Sequence, residues 1–142
     1  MNFIKCAFLT MLLTICALST TACSTKKQIL SVHTELTLSY ETTDVKAAIV
    51  EALATRNWVI TNENGNEIQA KFVIKENQFI AVKISYTDRY YNINYLDSQN
   101  MKYNGSKIHK TYNKQVKALD KVIKSNVKSK ARLSSATLST AN

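Results

Sequence analysis

Apolar and polar residues alternate from Leu30 to Tyr40. Leu30, Val32, Leu36, Leu38 and Tyr40 interleave with Ser31, His33, Glu35, Thr37 and Ser39. A strand turns successive side chains to opposite faces, so the pattern predicts a half-buried strand. The period then changes. Val45, Ala48, Ile49, Ala52 and Leu53 recur at helical spacing behind an N-cap signal at Thr43 and Asp44, and Arg56 and Asn57 close the predicted helix. Trp58 to Thr61 reads as a short strand, followed by the hairpin signal Asn64-Gly65. Ile68, Ala70, Phe72 and Ile74 alternate on the returning strand. A polar turn at Glu76-Asn77 leads to the alternating Ile80, Val82, Ile84 and Tyr86, and a break at Asp88-Arg89 to Tyr91, Ile93 and Tyr95.

Residues 97 to 107 read as a polar loop containing Gly105, and a final helix is predicted from Ile108 to Lys128. Residues 131 to 142 carry no charge after Arg132 and no periodicity, which predicts a disordered tail. The order is β-α-β-β-β-β-α. An antiparallel meander with one apolar face needs a cover, and the two helices are the available layer. The expected fold is α+β: a two-layer sandwich with a four- to five-stranded antiparallel meander sheet under two helices. A chain of 142 residues accommodates one such domain, expected over residues 29–130.

The N-terminus follows other rules. In MNFIKCAFLTMLLTICALSTTAC, Lys5 precedes an apolar run from Cys6 to Leu18, and small polar residues lead to Cys23. The run is about 13 residues, short of the ~20 that span a bilayer. It has the layout of a secretory signal peptide over residues 1–22, with an uncleaved membrane anchor as the competing reading. The stretch TTAC resembles the lipobox of bacterial lipoprotein signal peptides, with Thr20 where Leu is commonest. That resemblance implies lipidation of Cys23 by diacylglyceryl and an amide-linked acyl chain such as palmitate. Ser24, which is not Asp, implies sorting to the outer membrane, facing the periplasm. All three cysteines are then accounted for, because Cys6 and Cys16 leave with the signal. Residues 24–28 are expected as a polar tether reaching at most about 17 Å.

Charge changes the picture next. The formal net charge is +9, but residues 101–142 hold ten bases against the single acid Asp120. Lys107, Lys110, Lys114, Lys117, Lys121, Lys124 and Lys128 are spaced alternately by three and four. On a helix they stay within a sector of about 100°, opposite Ile108, Tyr112, Val116, Leu119, Val122, Ile123 and Val127. The stripe is either a solvated face in a lysine-rich sequence or a docking face for an anionic partner. In the periplasm such partners are anionic lipid, lipopolysaccharide or cell wall, and nucleic acid is not expected.

Catalytic signals are weak. His33 and His109 are the only histidines. No Gly-x-Ser-x-Gly turn or Gly-rich phosphate loop is present, so no cofactor or metal is expected. Glu63 and Glu67 flank the hairpin as surface acids. Tyr90, Asn92 and Asn94, with Lys83, alternate onto the solvent face of the sheet and form a candidate polar contact surface.

ALATRNW (residues 52–58), YYNINYLDSQNMKY (90–103) and IHKTYNKQVKAL (108–119) together resemble a family of small, uncharacterised proteobacterial periplasmic lipoproteins. The matching positions are Arg56, Trp58, Tyr95, Ser98, Asn100, Tyr103, His109, Tyr112 and Asn113. Asn57 stands where the family usually has Gly, and Gln115 where it often has Trp. The resemblance implies a periplasmic lipoprotein without implying an activity. It singles out Ser98, Asn100, His109 and Asn113 at the loop–helix junction, either as a binding cluster or as groups that satisfy the loop backbone. The expectation is a non-catalytic envelope binding or adaptor module. The alternatives are a small envelope-acting hydrolase or transferase, and a structural subunit bound to an envelope protein partner.

Overall fold

The computed structural model describes the backbone of residues 25–140 and the side chains of residues 25–133. The expected signal peptide and Cys23 lie outside the described residues. The strands are β1 (Lys26–Gln28), β2 (Val32–Glu35), β3 (Val59–Asn64), β4 (Glu67–Lys75), β5 (Gln78–Tyr86), β6 (Tyr90–Gln99) and β7 (Lys107–His109). The helices are α1 (Thr42–Thr55) and α2 (Lys110–Thr140). β2 to β6 form one antiparallel sheet in the order β2-β6-β5-β4-β3, and β1 pairs with β7 in a separate two-stranded sheet. The fold is α+β, with both helices contributing to the core on one side of the main sheet.

Alternation selects the buried face. Ile68 and Ala70 of β4, Ile80, Val82 and Ile84 of β5, and Tyr91 and Ile93 of β6 point inward and are almost fully buried. Val45, Ala48, Ile49, Ala52 and Leu53 of α1 meet Tyr112, Val116, Leu119 and Ile123 of α2 over that face. Fully burying one such aliphatic or aromatic side chain contributes roughly 1.5–3 kcal/mol. This one apolar cluster is therefore the main source of stability.

α1 begins at Thr42, one residue before the expected cap, and Glu41 occupies the N-cap without a side-chain hydrogen bond. Its C-terminus is well satisfied. Asn57 takes a left-handed conformation (φ 57°), the Trp58 amide donates to the Leu53 carbonyl (2.9 Å), and the Asn57 amide donates to the Ala54 carbonyl (3.1 Å). This is a Schellman closure, usually built on Gly because a Cβ disfavours positive φ.

Several expectations need correction. The first main-sheet strand is only Val32–Glu35, and Leu36 to Tyr40 leaves the ladder to reach α1. The hairpin loop is Gly65–Asn66, with Gly65 at φ 53°, so the turn lies one residue later than Asn64-Gly65. β6 continues through Gln99, where a loop was expected from residue 97. There Ala81 pairs with Asp97 and Val82 with Tyr95, leaving Leu96 as an extra residue. This β-bulge shifts the phase of the strand, so Ser98 pairs with Ile80 on the core side and Asp97 turns outward.

Residues 26–28, expected as tether, are a strand, because β7 offers them a ladder. α2 starts at Lys110, two residues later than expected, which puts Lys107 on β7. Its backbone stays helical to Thr140, where a disordered tail was expected from residue 131. No Pro or Gly interrupts ARLSSATLST, and each residue added to an existing helix gains a hydrogen bond without a new nucleation cost.

Candidate functional site

The amphipathic pattern of α2 divides it cleanly. Tyr112, Val116, Leu119, Ile123 and Val127 are buried, and Lys110, Lys114, Lys117, Lys121, Lys124 and Lys128 are exposed along the other side. The six lysines are one surface, and Lys107 stands just before it on β7. Two shallow grooves follow the surface. One is lined by Lys27, Gln28, Lys110, Thr111, Asn113, Lys114 and Lys117, with no acidic side chain. The other is lined by Asp120, Lys121, Lys124, Ser125 and Lys128. Among the described residues, Lys124 is the one stripe lysine in an ion pair, to Asp120 at 2.7 Å. Like charges three and four apart oppose helix formation by a few tenths of a kcal/mol per pair. The packing of the apolar side offsets that cost.

Asp120 is a residue that pattern reading passed over. Its side chain is 16% exposed and turns inward. Oδ1 accepts hydrogen bonds from the Tyr91 hydroxyl (2.6 Å) and the Thr34 hydroxyl (3.2 Å), tying α2 to β6 and β2. Burial, and then the Asp120 carboxylate, push the Tyr91 phenol far above its ordinary range. Asp120 is the lone acid of the last 42 residues and neighbours Leu119, so its isolation was the available signal. Burial likewise raises Tyr112, whose hydroxyl donates to the Leu30 carbonyl at 3.2 Å.

The residues singled out at the loop–helix junction each engage a different segment. Asn113 Oδ1 accepts the Leu30 amide (3.1 Å) and its Nδ2 donates to the Gln28 carbonyl (2.8 Å). Asn100, at φ 55°, donates through Nδ2 to the Asn77 carbonyl at 2.6 Å. Ser98 Oγ hydrogen-bonds the Tyr95 hydroxyl (2.9 Å), and His109 Nδ1 bonds the Thr111 hydroxyl (2.9 Å). No hydrogen bond joins any two of the four, and no carboxylate among the described residues bonds the His109 ring. Three of them satisfy strand, loop or helix groups, and Asn113 holds the N-terminal segment.

That segment is held elsewhere too. Lys26, Lys27 and Gln28 pair with His109, Ile108 and Lys107, and the Ile29 amide donates to the Ser106 carbonyl at 2.9 Å. The Thr25 carbonyl accepts the Lys110 amide (2.9 Å), which is one of the unpaired donors at the start of α2. The chain two residues after Cys23 is thus hydrogen-bonded to the beginning of the lysine surface.

The opposite face of the sheet carries Tyr90, Asn92, Asn94 and Lys83, with exposed Val59 and Val73. On this face Lys83 pairs with Glu67 at 3.2 Å, and the Lys71 ammonium lies 3.7 Å from the Phe79 ring centre. Asn92 Nδ2 donates to the Ser85 hydroxyl, and its Oδ1 accepts from the His33 ring. At the end of α1, Arg56 Nη2 reaches Gln115 Oε1 at 3.5 Å, while buried Arg56 Nε and Trp58 Nε1 have no hydrogen-bond partner among the described residues. Among the described residues there is no group of three or more His, Cys, Asp or Glu placed to hold a metal ion, and no helix long and apolar enough to cross a membrane. No protein-family model matches the chain, and no curated protein matches it significantly.

Proposed function

We propose that the chain is an outer-membrane lipoprotein of the periplasmic face, anchored through lipid on Cys23. Its α+β domain is a non-catalytic binding or adaptor module that presents the basic surface of α2 to an anionic partner. One observation carries the reading. The chain just after Cys23 is bonded through Thr25 to Lys110, the first lysine of that surface. An anchor and a cationic face joined in this way act on one boundary. Two or more acyl chains hold a protein stably, whereas one gives only marginal binding. The resemblance of TTAC to a lipobox and of residues 52–119 to small proteobacterial lipoproteins supports the same reading.

The test is localisation. The wild-type chain should incorporate labelled palmitate and sediment with outer membranes, and the Cys23→Ala variant should do neither. A soluble, unlabelled wild-type protein refutes the anchor.

A further inference from the structure

We infer that α2 lies along the bilayer, its lysine surface on the anionic phospholipid headgroups of the membrane that holds the lipid. This rests on the anchoring of Cys23. Thr25 is two positions after Cys23, a reach of at most about 7 Å at ~3.6 Å per residue. Thr25 is not the end of a swinging tether: its carbonyl is bonded to Lys110, β1 is paired with β7, and Asn113 clasps Gln28 and Leu30. The first turn of α2 is therefore pinned at the headgroup layer.

From that pivot the helix has two extreme postures. Lys110 and Lys128 are eighteen residues apart, about 27 Å along the axis at 1.5 Å per residue. The Debye length at physiological salt is about 8 Å. A standing helix leaves Lys121, Lys124 and Lys128 outside the field of the headgroups, whereas a lying helix brings all six lysines into it. The charge distribution selects the second posture. Every stripe lysine is exposed. Of the acids beside them, Asp120 turns one oxygen inward to Tyr91 and Thr34 and pairs the other with Lys124. Glu35 borders only the far end, near Lys124 and Lys128, so the surface stays strongly cationic. The far face of the sheet offers a weaker attraction, because Lys83 is paired with Glu67 and Lys71, over the Phe79 ring, does not belong to a row of bases like that on α2. The occupant is lipid phosphate because the anchor delivers this surface to it at high local concentration. The open sheet face then points away from the membrane.

The experiment uses the full chain, purified from membranes and returned to vesicles of phosphatidylcholine with or without phosphatidylglycerol. A fluorophore is attached through Ser125→Cys, among the far lysines, or through Val73→Cys, on the open sheet face, and the vesicles carry a headgroup quencher. With phosphatidylglycerol, the Ser125 probe should be quenched and the Val73 probe should not. The contrast should vanish without phosphatidylglycerol, at 1 M salt where the Debye length falls to about 3 Å, and after Lys121, Lys124 and Lys128 are changed to Gln. Each Lys→Gln step should also weaken association of the chain with anionic vesicles by about fivefold. Equal quenching at the two positions, with lipid present on Cys23 by mass spectrometry, overturns the posture and leaves the anchor standing. A contrast that survives the three Gln substitutions overturns its electrostatic origin. A chain without lipid on Cys23 overturns the anchor, and with it the pivot.

Discussion

Removing the Asn113 side chain tests how the N-terminal segment is held. Asn113→Ala deletes two hydrogen bonds, from the Leu30 amide (3.1 Å) and to the Gln28 carbonyl (2.8 Å). A neutral hydrogen bond contributes about 0.5–1.5 kcal/mol net, so two of them stabilise the docked segment by about 1–2 kcal/mol, water replacing part of the loss. At about 1.4 kcal/mol per tenfold, the segment should open roughly 5- to 30-fold more often. The core residues Ile84, Ile93 and Leu119 do not touch this clamp through any hydrogen bond, so global stability should change little. Amide hydrogen exchange reads the difference directly. Leu30, Ile29 and Lys110 should exchange faster, because their acceptors are the Asn113 side chain, the Ser106 carbonyl and the Thr25 carbonyl. Amides in the middle of β5 should be unchanged. Asn113→Asp keeps the acceptor for Leu30 but turns a carboxylate toward the Gln28 carbonyl, so it should loosen the segment as well. Unchanged exchange at all three amides in Asn113→Ala, with the variant folded, refutes the clamp.

Two further outcomes follow from local geometry. Asn57→Gly should stabilise the domain by about 0.5–1 kcal/mol in urea unfolding followed by the emission of the single Trp58, since Gly takes positive φ without a Cβ penalty; Asn57→Ala should destabilise it by about 1 kcal/mol. The raised Tyr91 and Tyr112 phenols hold their protons in the folded state while the unfolded chain releases them near pH 10. Their contribution is therefore complete below about pH 10 and is lost as pH rises further, at about 1.4 kcal/mol per pH unit for each tyrosine. Tyr91→Phe should reduce that slope by one tyrosine and cost about 1.5–3 kcal/mol at neutral pH, the range for a hydrogen bond to a charged group; an unaltered alkaline slope refutes the assignment.

Where periodicity was local, sequence and structure agree. Val45 to Leu53 and Tyr112 to Val127 bury the residues their helical spacing selects, and Ile80 to Tyr86 do so at period two. Asn57 closes α1 where the pattern stops. The lysine surface was also legible, because helical phase alone groups Lys110 to Lys128. The polar residues near the loop were recognised as polar but not as partners of particular carbonyls. A hydrogen bond such as Asn113 to Gln28 joins residues 85 apart and leaves no local trace.

Side-chain period is a property of a few consecutive residues, so the amino-acid order by itself determined α1, the strands of the meander in outline, their buried faces and the cationic side of α2. Long-range pairing is decided by which edges remain open once the core has formed. Tertiary structure alone therefore brought β2 beside β6, gave residues 26–28 a partner in β7, shifted the phase of β6 at Leu96 and turned Asp120 toward Tyr91. The same packing joined Thr25 to the first turn of α2. Backbone donors at a helix start need acceptors, and Thr25 is the residue that folding brings within reach.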